Sequence, residues 1–363
     1  MRYQEIFDEL CTVKLSSDGH AVDILDQTLL PGEIKRIQLR TPGEVYEAIK
    51  KLRVRGAPAL GICGAYALAV TASLIEADSF GDFYSGLKKI AEYIASSRPT
   101  AVNLAWALER ILRTAEKNRT RDIPSIIDTM FSEADRIREE DISISRRIGS
   151  SGAELIREVS EKKGDAPVGI LTHCNAGTLA TGMYGTALAP VYMALSDGFS
   201  RERMHVYCDE TRPLLQGARL TALELSKVGV RTTLQCDNMA ASLMKKGCID
   251  MIFVGADRIS ANGDTANKIG TLGLAVMAKH FGISFFVCAP GSTVDLSKMD
   301  GNGIPIEDRE ASEVTSMWYE KPMAPSGIEV YNPAFDVTDH ELISAIITER
   351  GIIREPFTEN LRV

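Results

Sequence analysis

Apolar positions in the first third of the chain recur mostly at helical spacing. Residues 43–53 carry a short amphipathic pattern, and an Ala-rich stretch begins at Pro58. Behind Pro99, Leu104, Leu108, Ile111 and Leu112 mark one face of a helix predicted over 99–118. From about Pro124 to Glu161 the chain is charged, with Ile126, Ile127, Met130, Ile137 and Ile142 spaced along it as in a long helix. The string EKKGDAP at 161–167 ends that pattern, because Gly and Pro both interrupt helices.

After Pro167 the rhythm changes. Short apolar runs VGILTH (168–173), MHVYCD (204–209), RTTLQCD (231–237), MIFVGAD (251–257) and ISFFVCA (283–289) alternate with helical patterns near 177–195, 213–228, 239–246 and 269–280. Apolar runs without polar alternation are strands buried on both faces, so the pattern predicts a mostly parallel sheet covered by helices. The expected fold class is therefore α/β: a small, mainly helical N-terminal domain (1–130), then a linking helix and a Rossmann-like catalytic domain (131–363).

Composition narrows the function. The 363 residues are 45% hydrophobic and 25% charged, as in a globular protein. A net charge of −8 opposes binding to a phosphate backbone, so no nucleic-acid partner is expected. Seven scattered cysteines without a CxxC pair fit reduced cytoplasmic thiols better than disulfides or structural zinc. The uncharged stretch Gly56–Ile75 is long enough to span a bilayer. Its Ala, Gly, Thr and Ser content instead reads as a buried, closely packed helix, and no membrane association is expected. Neither GxGxxG after the first strand nor GxxxxGK[ST] occurs, which removes the main support for a nucleotide cofactor. No HxH or HxxxH spacing offers a metal site, so neither cofactor nor metal is expected.

In open α/β sheets ligands bind beyond the carboxyl ends of the strands. Those ends here read His173-Cys174-Asn175, Asp209-Glu210, Asp237-Asn238, Asp257 and Pro290-Gly291. Cys174 stands ahead of a Gly-containing turn and an expected helix, whose positive end would favour thiolate. Asp257, closing an apolar strand and partly enclosed, would have a raised pKa suited to acid–base work. Asn267 and Lys268, expected at the start of the next helix, offer an amide for hydroxyls and a charge for an anion. Arg55 and Arg98 each precede a proline expected to open a helix, an arrangement that clamps phosphate. Gln216 opens a further helix on the same rim. Adjacent strand residues face opposite ways, so His173 and Cys174 are not expected to form a catalytic pair.

The strings VRGAPALG (54–61), RPTAVNLAWAL (98–108), THCNAGTLATGMYGTAL (172–188), CDETRPLLQGARLTALEL (208–225), CDNMAASLM (236–244) and VGADRISANGDTANKIGT (254–271) closely resemble those of the 5-methylthioribose-1-phosphate isomerases. The likeness runs from about residue 20 to 357. It implies an aldose–ketose isomerase of methionine salvage, a homodimer in the cytoplasm acting on a phosphorylated sugar. By the same likeness Asp257 corresponds to the proton donor and Cys174 to a group that stabilises the transition state. Arg55, Gly56, Ala57, Arg98, Gln216, Asn267 and Lys268 correspond to substrate contacts. The family is similar to isomerases of 5-deoxyribose 1-phosphate and ribose 1,5-bisphosphate. It is similar too to non-catalytic regulatory subunits of the translation-initiation guanine-nucleotide exchange factor, which generally lack the Cys and Asp pair. Hydrogen transfer as a proton through an enediol and transfer as a hydride both fit these residues.

Overall fold

In the computed structural model, which describes residues 3–362, the chain folds as two compact units. Among the described residues one comprises 3–143 with 177–185, the other 144–176 with 186–362. The division falls inside a long helix rather than at the 130/131 step that the sequence rhythm predicts.

The first unit begins with α1 (Tyr3–Glu9) and a three-stranded antiparallel sheet of β1 (Val13–Leu15), β2 (Val22–Leu25) and β3 (Arg36–Leu39). The sequence pattern does not announce this sheet: its strands are three or four residues long, too short for alternation to stand out. Helices α2 (Pro42–Lys50), α3 (Ala57–Ala72), α4 (Phe80–Ala95) and α5 (Val102–Lys117) follow, then α6 (Ile123–Lys163), 41 residues long and shared with the second unit. The α2 start is a capping box: Glu44 N–H donates to Thr41 Oγ1 at 3.3 Å and Thr41 N–H donates to the Glu44 carboxylate at 2.9 Å. Pro58 sits in the first turn of α3, as expected. Pro99 does not open α5, which starts three residues later at Val102. Arg98-Pro99 instead lies in the connection after α4, so Arg98 does not stand at a helix start.

The Ala-rich stretch is the buried helix α3, with Ala59 through Ala72 all buried. Its small residues let α5 press close: a Cβ on Gly64 would lie 2.5 Å from Leu104 Cδ1. Among the described residues no helix is long and apolar enough to cross a membrane.

The second unit is built on a seven-stranded sheet. After β4 (Val168–Thr172) come α7 (Ala189–Ser196), β5 (Met204–Asp209), α8 (Ala222–Val228), β6 (Arg231–Gln235), α9 (Ala240–Lys245) and β7 (Met251–Val254). A hairpin of β8 (Arg258–Ser260) and β9 (Thr265–Lys268) leads to α10 (Thr271–Phe281) and β10 (Ser284–Cys288). The remainder holds β11 (Val294–Asp295), α11 (Ala311–Thr315), β12 (Phe335–Thr338), β13 (Ala345–Thr348), β14 (Gly351–Ile353) and α12 (Phe357–Asn360). The large sheet has the order β14-β13-β10-β7-β4-β5-β6, parallel except for the β13–β14 pair. The hairpin forms the centre of a separate four-stranded sheet of order β11-β8-β9-β12.

The chain steps outward from β4 to β5 and β6, then returns to the opposite side of β4 with β7 and continues to β10. Neighbouring crossovers on the two sides of β4 thus run in opposite directions, which opens a crevice at the carboxyl ends of β4 and β7. Every residue of β4 and β7 is buried, consistent with their unbroken apolar runs.

The tight α3–α5 contact yields a paired test. Gly64→Ile overpacks the interface and should lower the urea-unfolding free energy by more than about 2 kcal/mol. Gly81→Ala, whose Cβ would meet nothing closer than Ser79 Oγ at 3.7 Å, should be neutral or stabilising by about 0.5–1 kcal/mol. Equal effects would contradict the packing.

Candidate active site

Cys174 and Asp257 follow adjacent strands. Thr172 of β4 pairs with Phe253 of β7, and each chemical group lies a few residues beyond that pair, on either side of the crevice. The turn at Cys174 is unusual: its φ is +63°, in the left-handed region that non-glycine residues rarely adopt. Such a residue costs about 1–3 kcal/mol and persists only where its surroundings hold it. Here Cys174 N–H donates to Thr211 Oγ1 at 2.8 Å, and Thr221 Oγ1 donates to the Cys174 carbonyl at 2.6 Å. Thr211, itself at φ +63°, is fixed in turn: its N–H and that of Arg212 each donate to one oxygen of Asp237, both at 2.7 Å. Next along the chain, Asn175 is buried and its Nδ2 donates to Glu224 Oε1 at 2.7 Å, while Tyr192 OH donates to Glu224 Oε2 at 2.9 Å.

The helix expected after Cys174 is absent. Only a three-residue 3-10 turn, Thr178–Ala180, follows before α7 begins at Ala189. Gly and Thr in this stretch serve a loop, so Cys174 does not precede the start of an α-helix as expected. Cys174 is half-buried. Cys63 and Cys288 are wholly buried, and burial pushes both thiols far up, Cys63 to about 12. Those two are inert core cysteines.

Asp257 departs from expectation in one respect: it is exposed, not partly enclosed. Strand β7 stops at Val254, and Gly255-Ala256 carry the chain over the rim before Asp257 enters the hairpin. Its backbone is nonetheless fixed, since its N–H donates to the Ala266 carbonyl at 2.9 Å. The same hairpin corrects a second expectation. Asn267 and Lys268 are not at a helix start but on β9, paired antiparallel with β8 and β12, and both are buried. The segment TANK has no apolar alternation to mark it as a strand; its partners, not its composition, make it one.

Lys268 gathers the site. Burial pushes its ammonium below the ordinary lysine range, and Cys174 and Asp257, both near enough to act on its charge, pull the other way. Arg309 and Glu313 act on it too, the first disfavouring and the second favouring the charged form. Its Nζ stands over the Phe335 ring, 5.2 Å from the centroid. Asn267 Nδ2 donates to Thr271 Oγ1 at 3.0 Å. Gln216 is buried at the head of the π-turn Gly217–Thr221, and its Oε1 has no hydrogen-bond partner among the described residues. An amide oxygen in that state is suited to a hydroxyl donor from a ligand.

Of the residues in the first unit, Arg55, Gly56 and Ala57 form the entry to α3. Gly56 has φ +90°, and a Cβ there would lie 2.4 Å from the Ala180 carbonyl oxygen. No other residue fits that close approach to the 177–185 segment. Gln27 Nε2 also ties this segment, donating to the Leu179 carbonyl at 2.7 Å, and Gly182 N–H donates to Asp141 at 2.6 Å. Arg98 lines a hollow of about 360 Å³ with Glu92, Ala95, Ser96, Pro99, Ala101 and Ala105. Arg55 is not part of that hollow, so it does not join the two arginines.

Several groups here carry no signal in the sequence pattern: Thr211 and Thr221, which clamp the Cys174 turn, and Arg309 and Glu313 beside Lys268. Strand ends do point to His173 and Asp209, but not to their pairing. His173 Nδ1 lies 3.0 Å from Asp209 Oδ2, and both side chains are 1% exposed. Ligand atoms of His173, Asp209 and Asp237 lie within 4.8 Å of one another. All three are engaged with protein groups, which does not suit them to holding a metal.

With this geometry established, comparison with known proteins assigns the chain to a family. A family model described as "Initiation factor 2 subunit family" matches residues 53–355. The chain belongs to that family. A Symbiobacterium thermophilum protein named methylthioribose-1-phosphate isomerase is 54% identical over 96% of this chain and 94% of its own. A Clostridium botulinum protein named 5-deoxyribose 1-phosphate isomerase is 48% identical over 98% of each. The crystal structure of 5-methylthioribose 1-phosphate isomerase from Pyrococcus horikoshii OT3 superposes with a TM-score of 0.88 at 42% identity, covering 100% of this chain and 98% of that one. The resemblance carried by the sequence strings is thereby upheld, as is the α/β class with a large, mostly parallel sheet.

The burial of Lys268 has a measurable sign. As pH rises, its Nζ should lose its proton below 10.5, the ordinary lysine value, and any anion held there should be released with it. Titration of the Lys268 side-chain nitrogen resonance checks this; a midpoint at or above 10.5 would contradict the enclosure.

Proposed function

We propose that this protein is an aldose–ketose isomerase that converts 5-methylthioribose 1-phosphate to 5-methylthioribulose 1-phosphate in methionine salvage. One observation carries the reading: Cys174 and Asp257 follow the two strands that border the crevice, and the buried Lys268 lies on the hairpin that Asp257 enters. A thiol, a carboxyl and a cation at one rim suit an anionic, hydroxylated substrate whose hydrogens must be moved. The high identity to relatives carrying that activity in their names supports the choice of substrate.

The chemistry sets definite demands. In the substrate the anomeric oxygen carries phosphate, so the ring does not open spontaneously to a free aldehyde. Opening needs a proton on the ring oxygen as its bond to C1 breaks. The C2 hydrogen then moves to C1, and the C2 hydroxyl loses its proton as the ketone forms. One proton is gained and one lost, so the product is an isomer and the phosphoester survives. Asp257 is the proton donor to the ring oxygen. It is exposed at the rim, where a bound sugar would cover it and keep water from the proton transfer. Cys174, in the turn after the neighbouring strand, stabilises the charge that develops at C1 and C2. Lys268 and Asn267 take anionic and hydroxyl oxygens, and Gln216 offers its unpartnered Oε1 to a hydroxyl. For Arg55, Gly56, Ala57 and Arg98 the support is the family resemblance alone, which makes them substrate contacts. The family resemblance further points to a homodimer working in the cytoplasm.

A second reading has its own support in the 48%-identical relative named for 5-deoxyribose 1-phosphate. The two sugars differ at C5, where methylthio replaces hydrogen. A panel of methylthioribose 1-phosphate, 5-deoxyribose 1-phosphate and ribose 1,5-bisphosphate decides between them. The first should give the highest kcat/KM, by about tenfold or more, as one apolar group in a pocket allows. Preference for either of the others would transfer the assignment, and turnover of none would leave a binding subunit.

Removing the acid tests the assignment of roles. Asp257→Asn should lower kcat by about 10²–10⁴-fold and leave the Kd for substrate nearly unchanged. Near-normal turnover would remove Asp257 from the chemistry.

A further inference from the structure

His173 is wholly buried, and both of its ring nitrogens meet acceptors. Nε2 lies 2.9 Å from the Ile269 carbonyl, and Nδ1 lies 3.0 Å from Asp209 Oδ2. A carbonyl oxygen only accepts, so Nε2 carries a hydrogen. A second proton then occupies the Nδ1–Oδ2 bond, and the pair is net neutral whether that proton rests on the ring or on the carboxyl. The other Asp209 oxygen accepts from Gln235 Nε2 at 2.7 Å. Burial opposes the imidazolium, but the bond and charge of Asp209, with the charge of Asp237 and the Ile269 carbonyl adding to them, outweigh it and raise the His173 pKa.

The ring joins three segments that carry the site. His173 immediately precedes Cys174. Asp209 ends β5, two residues before Thr211, whose Oγ1 accepts from Cys174 N–H. Ile269 follows Lys268 directly. The fit at the third segment is close: a Cβ on Gly270 would lie 2.9 Å from His173 Cε1. Gly270 N–H is itself held by Asp336 Oδ2 at 2.8 Å. With both nitrogens occupied, the ring has no free atom for a substrate.

We infer that His173 is a positioning residue for the isomerisation, setting Cys174 through its bond to Asp209 and Lys268 through its bond to the Ile269 carbonyl. The inference rests on the isomerase reading above and extends it to a group outside the reacting set. Its two bonds are separable, because a glutamine amide reaches where Nε2 stood and an asparagine amide where Nδ1 stood.

The test is steady-state kinetics of His173→Gln and His173→Asn on methylthioribose 1-phosphate, with circular dichroism and urea unfolding as controls on folding. His173→Gln keeps the Ile269 bond and loses the Asp209 bond: kcat should fall about 10–100-fold with KM within about twofold. His173→Asn keeps the Asp209 bond and releases the Lys268 segment: KM should rise several-fold with a smaller loss in kcat. Identical kinetic profiles for the two variants, or losses that simply follow the folded fraction, would overturn the inference. Should neither variant fold, Asp209→Asn takes their place, and a kcat equal to that of the unmodified protein would overturn it. Unmodified protein that turns over the sugar while both variants match it removes the role of His173 alone; unmodified protein without turnover removes the isomerase reading and this inference with it.

Discussion

The reversal of chain direction at β4 governs this molecule's chemistry. A parallel sheet wound outward on one side of a central strand and then on the other must leave a gap in its covering loops at that strand. The residues following β4 and its neighbour β7 are therefore the ones free to face a ligand. In this chain those positions hold a cysteine and an aspartate. Strand order, a consequence of burying apolar runs on both faces, thus brings together groups far apart in sequence.

The crevice alone would not make a site. Its backbone must be held where ordinary local preferences would not keep it, and the chain does this with hydrogen bonds to side chains of neighbouring rim segments. Cys174 and Thr211 both adopt left-handed backbone, and each is held by a side-chain oxygen: Thr211 Oγ1 for Cys174, Asp237 for Thr211. The strain of about 1–3 kcal/mol at each is offset by these bonds and by burial around them. Lys268 follows the same logic at the third segment. It sits on a strand rather than at a helix start, so its ammonium is enclosed and its geometry is set by two flanking strands.

Much of this is legible in the sequence, for a physical reason. Unbroken apolar runs ending in polar residues locate both the strands and their carboxyl ends, and the rule that ligands bind at those ends then selects Cys174, Asp209, Asp237 and Asp257 without any structure. The Ala-rich α3 is readable because small residues over four turns have few uses other than close helix packing. What is not legible depends on partners. β9 reads TANK, which becomes a strand only by pairing with β8 and β12. The helix expected after Cys174 does not form because its glycines and threonines satisfy a loop equally well. An apolar strand leading into Asp257 predicts partial enclosure, yet Gly255 and Ala256 intervene and carry it into the open. The His173–Asp209 bond requires knowing that β4 and β5 are neighbours in register, and composition carries no register.

The central claim is that one sugar is served from both sides of the switch point. A crystal structure of the protein with methylthioribose 1-phosphate or its product tests it most directly. The account predicts the Cys174 sulfur and an Asp257 carboxyl oxygen both in contact with the same sugar, with Lys268 on one of its oxygens. A sugar bound elsewhere, touching neither the thiol nor the carboxyl, would contradict it.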